Sequence, residues 1–284
     1  MIPFDYLRPK TLAGALSILF EHQDDAQILA GGHTLLPLMK VRMASTDLLV
    51  DIQDLPELKG IEVHDEHIII GALTRHVDLQ KSAALQREYL VFSEAADQIA
   101  DQQVRNRGTI GGSICAADPS ADWPAIALML KAQFVLESKT NERTIDATDY
   151  FLGMMETDRK PTEILTAVLI PRNSNGMKTS YQKFRHPASG YAVAAVAAGL
   201  VLSDGKIQEA RIAVSGVGEH VYLAEKSAEL LLNQKPSKEL FNEVAQEVTY
   251  SQNVMSDHFA DAPYRTQLAI TMCRRALETC YALV

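Results

Sequence analysis

Two glycine pairs, about eighty positions apart, are the segments of this chain whose residue types could bind a ligand. The first lies in Leu29-Ala-Gly-Gly-His-Thr-Leu-Leu-Pro37 and the second in Thr109-Ile-Gly-Gly-Ser113. Paired glycines let the backbone turn tightly and approach a ligand, so that amide N–H groups can converge on a phosphate oxygen. Hydroxyl side chains stand beside each pair, and Thr34 could add a further donor. Two such segments could hold one pyrophosphate between them.

Each glycine segment also has a purely structural interpretation. A glycine pair followed by apolar residues is common turn chemistry before a helix. Neither segment fits the G-x-G-x-x-G pattern of Rossmann folds or the G-x-x-x-x-G-K-[ST] pattern of P-loops. The residues alone therefore predict two tight glycine turns and leave phosphate binding open.

Charged residues flank the second glycine pair. Asp118 and Asp122 follow it, and a carboxylate placed there could accept hydrogen bonds from ribose hydroxyls or from a ring N–H. The alternative for the first of them is a helix entry, with Asp118 as the cap and Pro119 at the first helical position. Arg105 and Arg107 precede the pair, and they fit a cofactor contact as well as they fit solvated or inter-subunit charges.

Side chains that hold metals or act as nucleophiles are sparse. The three cysteines, Cys115, Cys273 and Cys280, are widely scattered and include no C-x-x-C pair, so we expect neither zinc nor an iron–sulfur cluster on this chain. Isolated histidines are more often surface or core residues than catalysts. We therefore predict no catalytic residue and no metal ligand here. Cys115 is interpreted as a small buried residue on a strand that leaves the second glycine pair.

The composition limits the possible classes of protein. Of 284 residues, 47% are apolar and 22% charged, which is ordinary globular usage and favours two domains. Lys and Arg number 27 against 36 Asp and Glu, and the net charge of −9 disfavours nucleic acid as a partner. The longest apolar run, Tyr191 to Leu202, is too short to span a bilayer, and the N-terminus lacks the pattern of a signal peptide. We therefore expect a cytoplasmic protein with no membrane span.

Local patterns predict the elements that must position these residues. Thr11 can cap a helix that runs to about Phe20, and Thr74 can cap another. A longer helix is expected over about 86–101, and an apolar helical run over 125–131. Short strands are predicted at 27–30, 48–52, 67–71, 133–137 and 164–170. Each glycine pair is thereby predicted to lie in a turn.

Pro171 to Gly176 is the best linker candidate, because Pro, Gly and Asn follow a complete strand there. We place the main boundary at this point, between an N-terminal domain 1–176, with subdomains of about 1–55 and 56–176, and a C-terminal domain 177–284. Beyond it, Asp204-Gly205 between two β-type runs predicts a hairpin. Helical spacing follows over 221–232, 238–248 and 263–283.

Three segments are recognisable as a set. They are Ala30-Gly-Gly-His-Thr-Leu-Leu-Pro-Leu-Met-Lys40, Gln103-Val-Arg-Asn-Arg-Gly-Thr-Ile-Gly-Gly-Ser113 and Arg185-His-Pro-Ala-Ser-Gly-Tyr-Ala192. Together with Ala262-Pro-Tyr-Arg265 before the last helix, they resemble, in order and spacing, the FAD-binding (medium) subunit of molybdenum hydroxylases. That family includes bacterial carbon monoxide dehydrogenase and xanthine dehydrogenase. The resemblance covers the whole chain.

The resemblance implies an α+β protein, with an FAD-binding fold of the vanillyl-alcohol-oxidase (PCMH) type in two subdomains. A C-terminal domain of antiparallel sheet with a three-helix bundle would follow. The two glycine turns would hold the pyrophosphate of a non-covalently bound FAD, and Tyr191 would lie near the isoalloxazine. Carried over position by position, the implied cofactor-binding residues are Ala30, Gly31, Gly32, His33, Thr34, Leu35, Leu36, Ile99, Ala100, Thr109, Ile110, Gly111, Gly112, Ser113, Asp122, Leu165, Lys183 and Tyr191.

Three positions depart from the pattern of the family. Thr34 stands where serine is commoner, and Ser113 stands where asparagine is common. Both keep a hydrogen-bonding group, so FAD binding is still expected. Gly190 precedes Tyr191 where some relatives carry aspartate, which leaves the environment of the flavin's edge open.

For function, the resemblance implies an oxidoreductase subunit that transfers electrons. A molybdenum cofactor in a large subunit would hydroxylate the substrate. Electrons would then pass through two [2Fe–2S] clusters of a small subunit to this FAD, and on to an external acceptor such as NAD, a quinone or oxygen. The family suggests a dimer of heterotrimers. The alternatives are a self-sufficient FAD-dependent oxidoreductase of the same fold, which would need its own base and substrate pocket, and a non-catalytic module.

Overall fold

The computed structural model describes residues 1–284 and contains strands and helices in every part of the chain. The strands are β1 (Asp5–Leu7), β2 (Ala26–Leu29), β3 (Leu48–Asp51), β4 (Ile61–Val63), β5 (His67–Gly71), β6 (Gln133–Glu137), β7 (Glu142–Asp146), β8 (Phe151–Gly153), β9 (Glu156–Thr157), β10 (Ile164–Pro171), β11 (Lys178–Arg185), β12 (Ala192–Ser203), β13 (Lys206–Ser215) and β14 (Tyr222–Leu223). The α-helices are α1 (Leu12–His22), α2 (Leu35–Lys40), α3 (His76–Lys81), α4 (Ala83–Glu88), α5 (Val91–Gln98), α6 (Gln102–Arg105), α7 (Ile110–Ala116), α8 (Asp122–Met129), α9 (Ala147–Tyr150), α10 (Glu225–Leu231), α11 (Lys238–Ala245) and α12 (Ala262–Ala282). Two 3-10 turns lie at Gln23–Asp25 and Pro56–Leu58.

The first part of the chain is a small parallel sheet with one covering helix. Its strands lie in the order β1-β3-β2, and both outer strands run parallel to β3. The Thr11 hydroxyl accepts a hydrogen bond from the Gly14 N–H and caps α1, as predicted. Ala15, Leu16 and Leu19 bury the inner face of α1 in a core that includes β3. This packing fixes β2, whose carboxyl end carries the first glycine pair.

The middle part is a five-stranded antiparallel sheet in the order β4-β5-β10-β6-β7. Helix α8 is buried on every face, which is the behaviour of a helix enclosed by other elements. It packs against α5 and α7 and also against β12 and β13 of the C-terminal sheet. The middle and C-terminal parts therefore share one hydrophobic core.

The C-terminal part begins with an antiparallel sheet in the order β11-β12-β13-β14. Asp204 and Gly205 join β12 to β13 with φ of 52° and 71°, the left-handed values that a two-residue hairpin turn requires, so the predicted hairpin is confirmed. Residues 192–200 of β12 are buried throughout, because α8 covers one face and α12 the other. A strand buried on both faces reads as a continuous apolar run.

The three C-terminal helices enclose a second core together with this sheet. In α12, Leu268, Met272, Ala276 and Cys280 recur every four residues and are all buried, as the helical spacing predicted. The N-terminal portion of the first predicted helix is instead the short strand β14, so that α10 begins at Glu225. No helix of the chain combines the length and the apolar character that crossing a bilayer requires.

Two predictions about the helices before the second glycine pair are wrong. Thr74 caps no helix, because its hydroxyl donates to the Gly60 carbonyl at 2.9 Å and accepts from the Gly60 N–H at 3.0 Å. The single helix predicted over 86–101 is interrupted at Tyr89, whose backbone is extended. The extended backbone buries the Tyr89 ring, and its hydroxyl donates to the Pro171 carbonyl at 3.0 Å. Burial of one aromatic ring thus separates α4 from α5.

Three further corrections concern the second glycine pair and the residues after it. The pair does not lie in a turn but in the first turn of α7, which Thr109 caps. Cys115 therefore lies on a helix and not on a strand. The helix entry proposed at Asp118 is also wrong: α8 begins at Asp122, and the Asp118 carboxylate accepts from the Ser120 N–H at 2.8 Å in a local turn.

Arg265 ties the start of α12 to the sheet. It is 3% exposed, and its guanidinium donates to the carbonyl oxygens of Val193 and Gly216 at 2.6 Å each and to that of Met255 at 3.1 Å. It also pairs with Asp257 at 2.7 Å. Because the substitution leaves buried carbonyls without a donor, we expect Arg265→Met to lower the free energy of unfolding by about 3 kcal/mol.

Guanidinium chloride denaturation measures this effect, and Arg274→Met is the matched control. Arg274 forms only a partly exposed pair with Glu278, one helical turn away. Its loss should change the free energy of unfolding by less than about 0.5 kcal/mol. Equal, small changes in the free energy of unfolding for the two substitutions would show that Arg265 does not hold the start of α12 against the sheet.

Candidate cofactor site

A cavity of about 680 Å³ lies where the three parts of the chain meet. Its wall is formed by β2 and the loop after it, by the first turns of α7, by the start of β10, and by the loop that precedes β12. Half of the lining residues are hydrophobic, and the volume is that of an ordinary small-molecule site. The cavity thus has an apolar wall with a limited number of polar groups.

Fifteen of the eighteen residues that sequence reasoning proposed as cofactor ligands line this cavity. They are Ala30, Gly31, Gly32, His33, Thr34, Leu35, Ile99, Ala100, Thr109, Gly111, Gly112, Ser113, Asp122, Leu165 and Tyr191. The structure therefore brings together both glycine segments and residues from all three parts of the chain. The other three, Leu36, Ile110 and Lys183, do not line it.

The first glycine segment presents a row of free backbone donors. The N–H groups of Gly31, Gly32, His33 and Thr34 donate no hydrogen bond to any other group of the chain. Leu36 completes the turn, because its N–H bonds to the Gly32 carbonyl at 3.2 Å. Consecutive free N–H groups of this kind form an anion-binding concavity. This is the arrangement that a phosphate group would fit.

The second glycine segment differs, because its amides are used within the fold. The N–H groups of Ile110 and Gly111 bond to the carbonyls of Thr74 and Ala72 at 3.0 and 2.9 Å, and that of Gly112 bonds to the Thr109 hydroxyl at 3.1 Å. Ile110 is itself a core residue, 2% exposed. What this segment offers the cavity is therefore its hydroxyl groups rather than converging amides.

The glycines of both segments allow backbones to approach each other closely. A Cβ added at Gly31 would lie 2.5 Å from the Arg107 carbonyl oxygen and 2.8 Å from the Cα of Gly108. A Cβ at Gly111 would lie 2.5 Å from the Ala72 side chain. The first segment is thus in backbone contact with Arg107 and Gly108, which lead directly into the second segment, and the need for glycine arises from the protein's own packing.

Lys183, one of the proposed residues that do not line the cavity, lies beside Asp122. Its side chain is fully buried, and its ammonium group donates to Asp122 Oδ1 at 2.8 Å and to the Gln98 carbonyl at 3.2 Å. The Tyr181 hydroxyl donates to the same Oδ1 at 2.6 Å. Asp122 Oδ2 makes no hydrogen bond within the chain, and Asp122 lines the cavity. Lys183 therefore holds Asp122, and the carboxylate faces the site.

Burial and charge set the ionisation of the groups around the cavity. Burial raises the pKa of Asp122, while the Lys183 ammonium and the Tyr181 hydroxyl oppose the rise by stabilising the carboxylate. Burial, together with the charge of Arg107, lowers the pKa of His33. Burial also raises the pKa of Tyr191. The first glycine segment thus carries a histidine that favours its neutral form.

Tyr191 reaches the cavity on a loop of the C-terminal part. The His186 N–H bonds to the Tyr191 carbonyl at 2.8 Å and closes this loop. Gly190 lies against the middle part, since an added Cβ would be 3.1 Å from the Cα of Ala100. Gly190 therefore allows a close contact between the C-terminal and middle parts beside the site.

Arg105 and Arg107 do not line the cavity. A guanidinium N–H of Arg105 donates to the Ile99 carbonyl at 2.9 Å, and the Arg107 guanidinium donates to Gln53 at 2.5 Å. Arg105 thus holds the backbone at Ile99, whereas Arg107 binds the side chain of Gln53, which lies outside the cavity.

Eight polar residues line the cavity without belonging to the ligand set proposed from the sequence: Gln27, His76, Cys115, Asp118, Glu156, Thr157, Arg159 and Ser189. The position of Asp118 after the glycine pair indicates a carboxylate that could face a ligand, and it lines the cavity. No local pattern singles out His76 or Arg159. Burial raises the pKa of Cys115, and the Tyr150 hydroxyl donates to its sulfur at 3.4 Å, so the thiol is not activated.

Comparisons with known proteins bear directly on this site. Residues 2–173 match the family model described as FAD binding domain in molybdopterin dehydrogenase, and residues 179–280 match that described as CO dehydrogenase flavoprotein C-terminal domain. The carbon monoxide dehydrogenase medium chain of Hydrogenophaga pseudoflava is 36% identical over 284 residues, which are 99% of each chain. The glyceraldehyde dehydrogenase medium chain of Sulfolobus acidocaldarius is 33% identical over 275 residues, 97% of each chain.

A solved structure agrees with these matches. The fold is similar to that of carbon monoxide dehydrogenase from Hydrogenophaga pseudoflava lacking the Mo-pyranopterin moiety of the molybdenum cofactor, with a TM-score of 0.95, 37% identity and 99% of each chain covered. The expected fold class and the resemblance drawn from three sequence segments are thereby confirmed. The chain belongs to the family of FAD-binding subunits of molybdopterin-dependent dehydrogenases, and it is a component of an oxidoreductase.

Proposed function

We propose that this chain is the FAD-binding electron-transfer subunit of a molybdenum hydroxylase complex. Electrons reach its FAD from the [2Fe–2S] clusters of a small subunit, and they leave to an external acceptor, which is NAD, a quinone or oxygen. The molybdenum cofactor that acts on the substrate belongs to a large subunit. In this assignment, residues 1–176 bind the cofactor, residues 177–284 form the domain that contributes Tyr191, and the complex is a dimer of heterotrimers.

The observation that carries this proposal is the cavity that joins the two glycine segments. Free N–H groups of residues 31–34 supply donors suited to a pyrophosphate, and Thr109 and Ser113, which carry hydroxyls, line the same cavity. Donors that are already oriented bind an anion without a further ordering cost. The polar part of the site thus fits the pyrophosphate, which lies in the middle of FAD.

The remaining wall fits the two ring systems of FAD. Apolar side chains of Ile28, Ile52, Ile164 and Leu165 line it, which suits planar aromatic groups. Asp122 presents an unpartnered carboxylate oxygen, which can accept a hydrogen bond from a ring N–H. When bound, FAD supplies a ring that accepts and releases electrons, and the protein supplies binding, orientation and electrostatics.

The side chains around the cavity favour non-covalent binding. Cys115 has a raised pKa and accepts a hydrogen bond from Tyr150, so its thiolate is not available as a nucleophile. His33, the histidine of the first segment, is flanked by backbone donors suited to an anion. We expect denaturation with acid to release all of the flavin from the protein.

The test is a titration of the FAD-free full chain with FAD. We expect stoichiometric binding, seen as a visible flavin absorption that remains with the protein and as quenched flavin fluorescence. Enrichment of the chain from its native source should bring iron and molybdenum in constant ratio to flavin. Failure to bind FAD even in excess would contradict the proposal. Reduction of the bound flavin by an organic substrate, without the other subunits, would favour the self-sufficient enzyme instead.

A further inference from the structure

His76 is a buried histidine whose proton is placed by a neighbouring tryptophan. It begins α3, is 6% exposed and lines the cavity. The indole Nε1–H of Trp123 donates to His76 Nδ1 at 2.9 Å. An indole N–H can only donate, so Nδ1 must be the acceptor and the imidazole proton lies on Nε2. The interaction selects one tautomer of the ring.

The protonated nitrogen lies where the two glycine segments meet. A Cβ added at Gly108 would be 2.5 Å from His76 Nε2, and one added at Gly31 would be 2.8 Å from the Cα of Gly108. Gly108 therefore lies between His76 and Gly31 and is in close contact with both. His76 Nε2 forms no hydrogen bond within the chain and is not among its fully buried unpaired atoms, so in a side chain that is 6% exposed this nitrogen opens to the cavity. An unpaired donor on a side chain that is more than nine-tenths buried points to an acceptor brought by a ligand.

Burial, reinforced by nearby charge, keeps the His76 ring neutral. Burial lowers the pKa of His76 to about 3, and the neighbouring His33 and Arg105 act in the same direction. At neutral pH the ring therefore contributes a fixed N–H donor rather than a positive charge. The free N–H groups of residues 31–34 line the same cavity and favour an anionic acceptor.

We propose that His76 is a further cofactor-binding residue, whose Nε2–H donates a hydrogen bond to a pyrophosphate oxygen of FAD. Trp123 is then a positioning residue that acts through His76 by fixing the donor tautomer. This inference rests on the proposed function, and it names a contact that the glycine segments alone do not supply. It gives the pyrophosphate a side-chain donor in addition to the backbone N–H groups.

The test compares ligands with and without phosphates on the FAD-free full chain. Because a hydrogen bond to a charged group is lost, we expect His76→Phe to weaken FAD and ADP binding about ten- to one-hundredfold. Riboflavin, which has no phosphate, should bind His76→Phe and the unchanged chain within about twofold. His76→Gln, which can present an amide N–H, should recover part of the loss. Wild-type affinity of His76→Phe for FAD, or an equal loss for FAD and riboflavin, would overturn the assignment.

A second measurement needs no variant and applies even where His76→Phe does not fold. In the unchanged chain labelled with 15N-histidine, one Nε2–H resonance should shift on addition of FAD or ADP and should stay unchanged with riboflavin. No shift with FAD, in a chain that binds FAD, would overturn the role of His76 and leave the proposed function standing. A chain that binds no FAD at all would overturn both.

Discussion

Gly31→Ala is expected to weaken FAD binding by the full chain severely. The added Cβ would lie 2.5 Å from the Arg107 carbonyl oxygen and 2.8 Å from the Cα of Gly108, and these backbone atoms cannot move aside by a change of rotamer. The two glycine segments would have to separate, which would displace the N–H groups of residues 31–34 together. Because several donors are lost at once, we expect the affinity for FAD to fall by at least about a hundredfold.

Gly218→Ala is the matched control for this substitution. The Cβ added there would have no neighbour closer than 3.4 Å, which is ordinary van der Waals contact, and Gly218 lies outside the cavity. The control should bind FAD within about twofold of the unchanged chain. Equilibrium titration of both variants, together with their thermal unfolding, separates loss of the site from loss of the fold. A folded Gly31→Ala chain with unchanged affinity would contradict the role given to the contact between the segments.

Sequence patterns predicted the fold best where local preference and tertiary setting agree. The turn residues Asp204-Gly205 favour the same hairpin that the buried strand β12 requires. The four-residue spacing of Leu268, Met272, Ala276 and Cys280 needs only one apolar surface, which the sheet supplies. In both places no distant residue had to be known in advance.

The second glycine pair shows where such reasoning reaches its limit. Glycines beside a strand favour a turn, yet Gly111 and Gly112 lie in the first turn of α7. Gly111 is required because Ala72, nearly forty residues earlier, lies against it. The Thr109 hydroxyl caps the helix and occupies the Gly112 N–H. A pattern within the segment contains no information about the neighbour that determines its conformation.

The polar network beside the cavity could not be predicted from local sequence patterns, because its partners are far apart in the chain. Lys183 and Asp122 are 61 positions apart, and His76 and Trp123 are 47 positions apart. The family resemblance implies that Lys183 binds the cofactor, and the structure shows its ammonium paired with the Asp122 carboxylate and absent from the cavity wall. Helix α8 presents both partners, Asp122 and Trp123, from its first turn. One buried helix, which packs against the C-terminal sheet, thus carries both Asp122 and the Trp123 that binds His76.

Lys183→Met is expected to lower the free energy of unfolding by about 3 to 5 kcal/mol at neutral pH, because it leaves the buried Asp122 carboxylate without its counter-charge. The Tyr181 hydroxyl remains as a donor, but one neutral hydrogen bond does not replace a cation. Lys160→Met is the control. Lys160 pairs with Asp158 at the surface, and its loss should cost less than about 1 kcal/mol.

The deficit of Lys183→Met, which is its loss of unfolding free energy relative to the unchanged chain, should depend on pH in a defined direction. Burial already raises the pKa of Asp122 above that of the unfolded chain, and removal of Lys183 takes away the charge that opposed the rise. The folded variant then binds more protons than the unfolded chain, so its stability falls as the pH rises. The deficit should be smallest below about pH 4, near the pKa of an unperturbed aspartate, and should grow as the pH rises through the folded-state pKa.

Neutralising the carboxylate should restore most of the lost stability. In the double variant Lys183→Met, Asp122→Asn the buried charge is absent, while the amide oxygen can still accept from the Tyr181 hydroxyl. The stability loss of the double variant relative to the unchanged chain should therefore be small and should not vary with pH. Denaturation curves for the single and double variants at about pH 4 and pH 7.5 measure both effects. A single variant with the same deficit at both pH values would mean that lost packing, and not the unpaired carboxylate, is what Lys183 prevents.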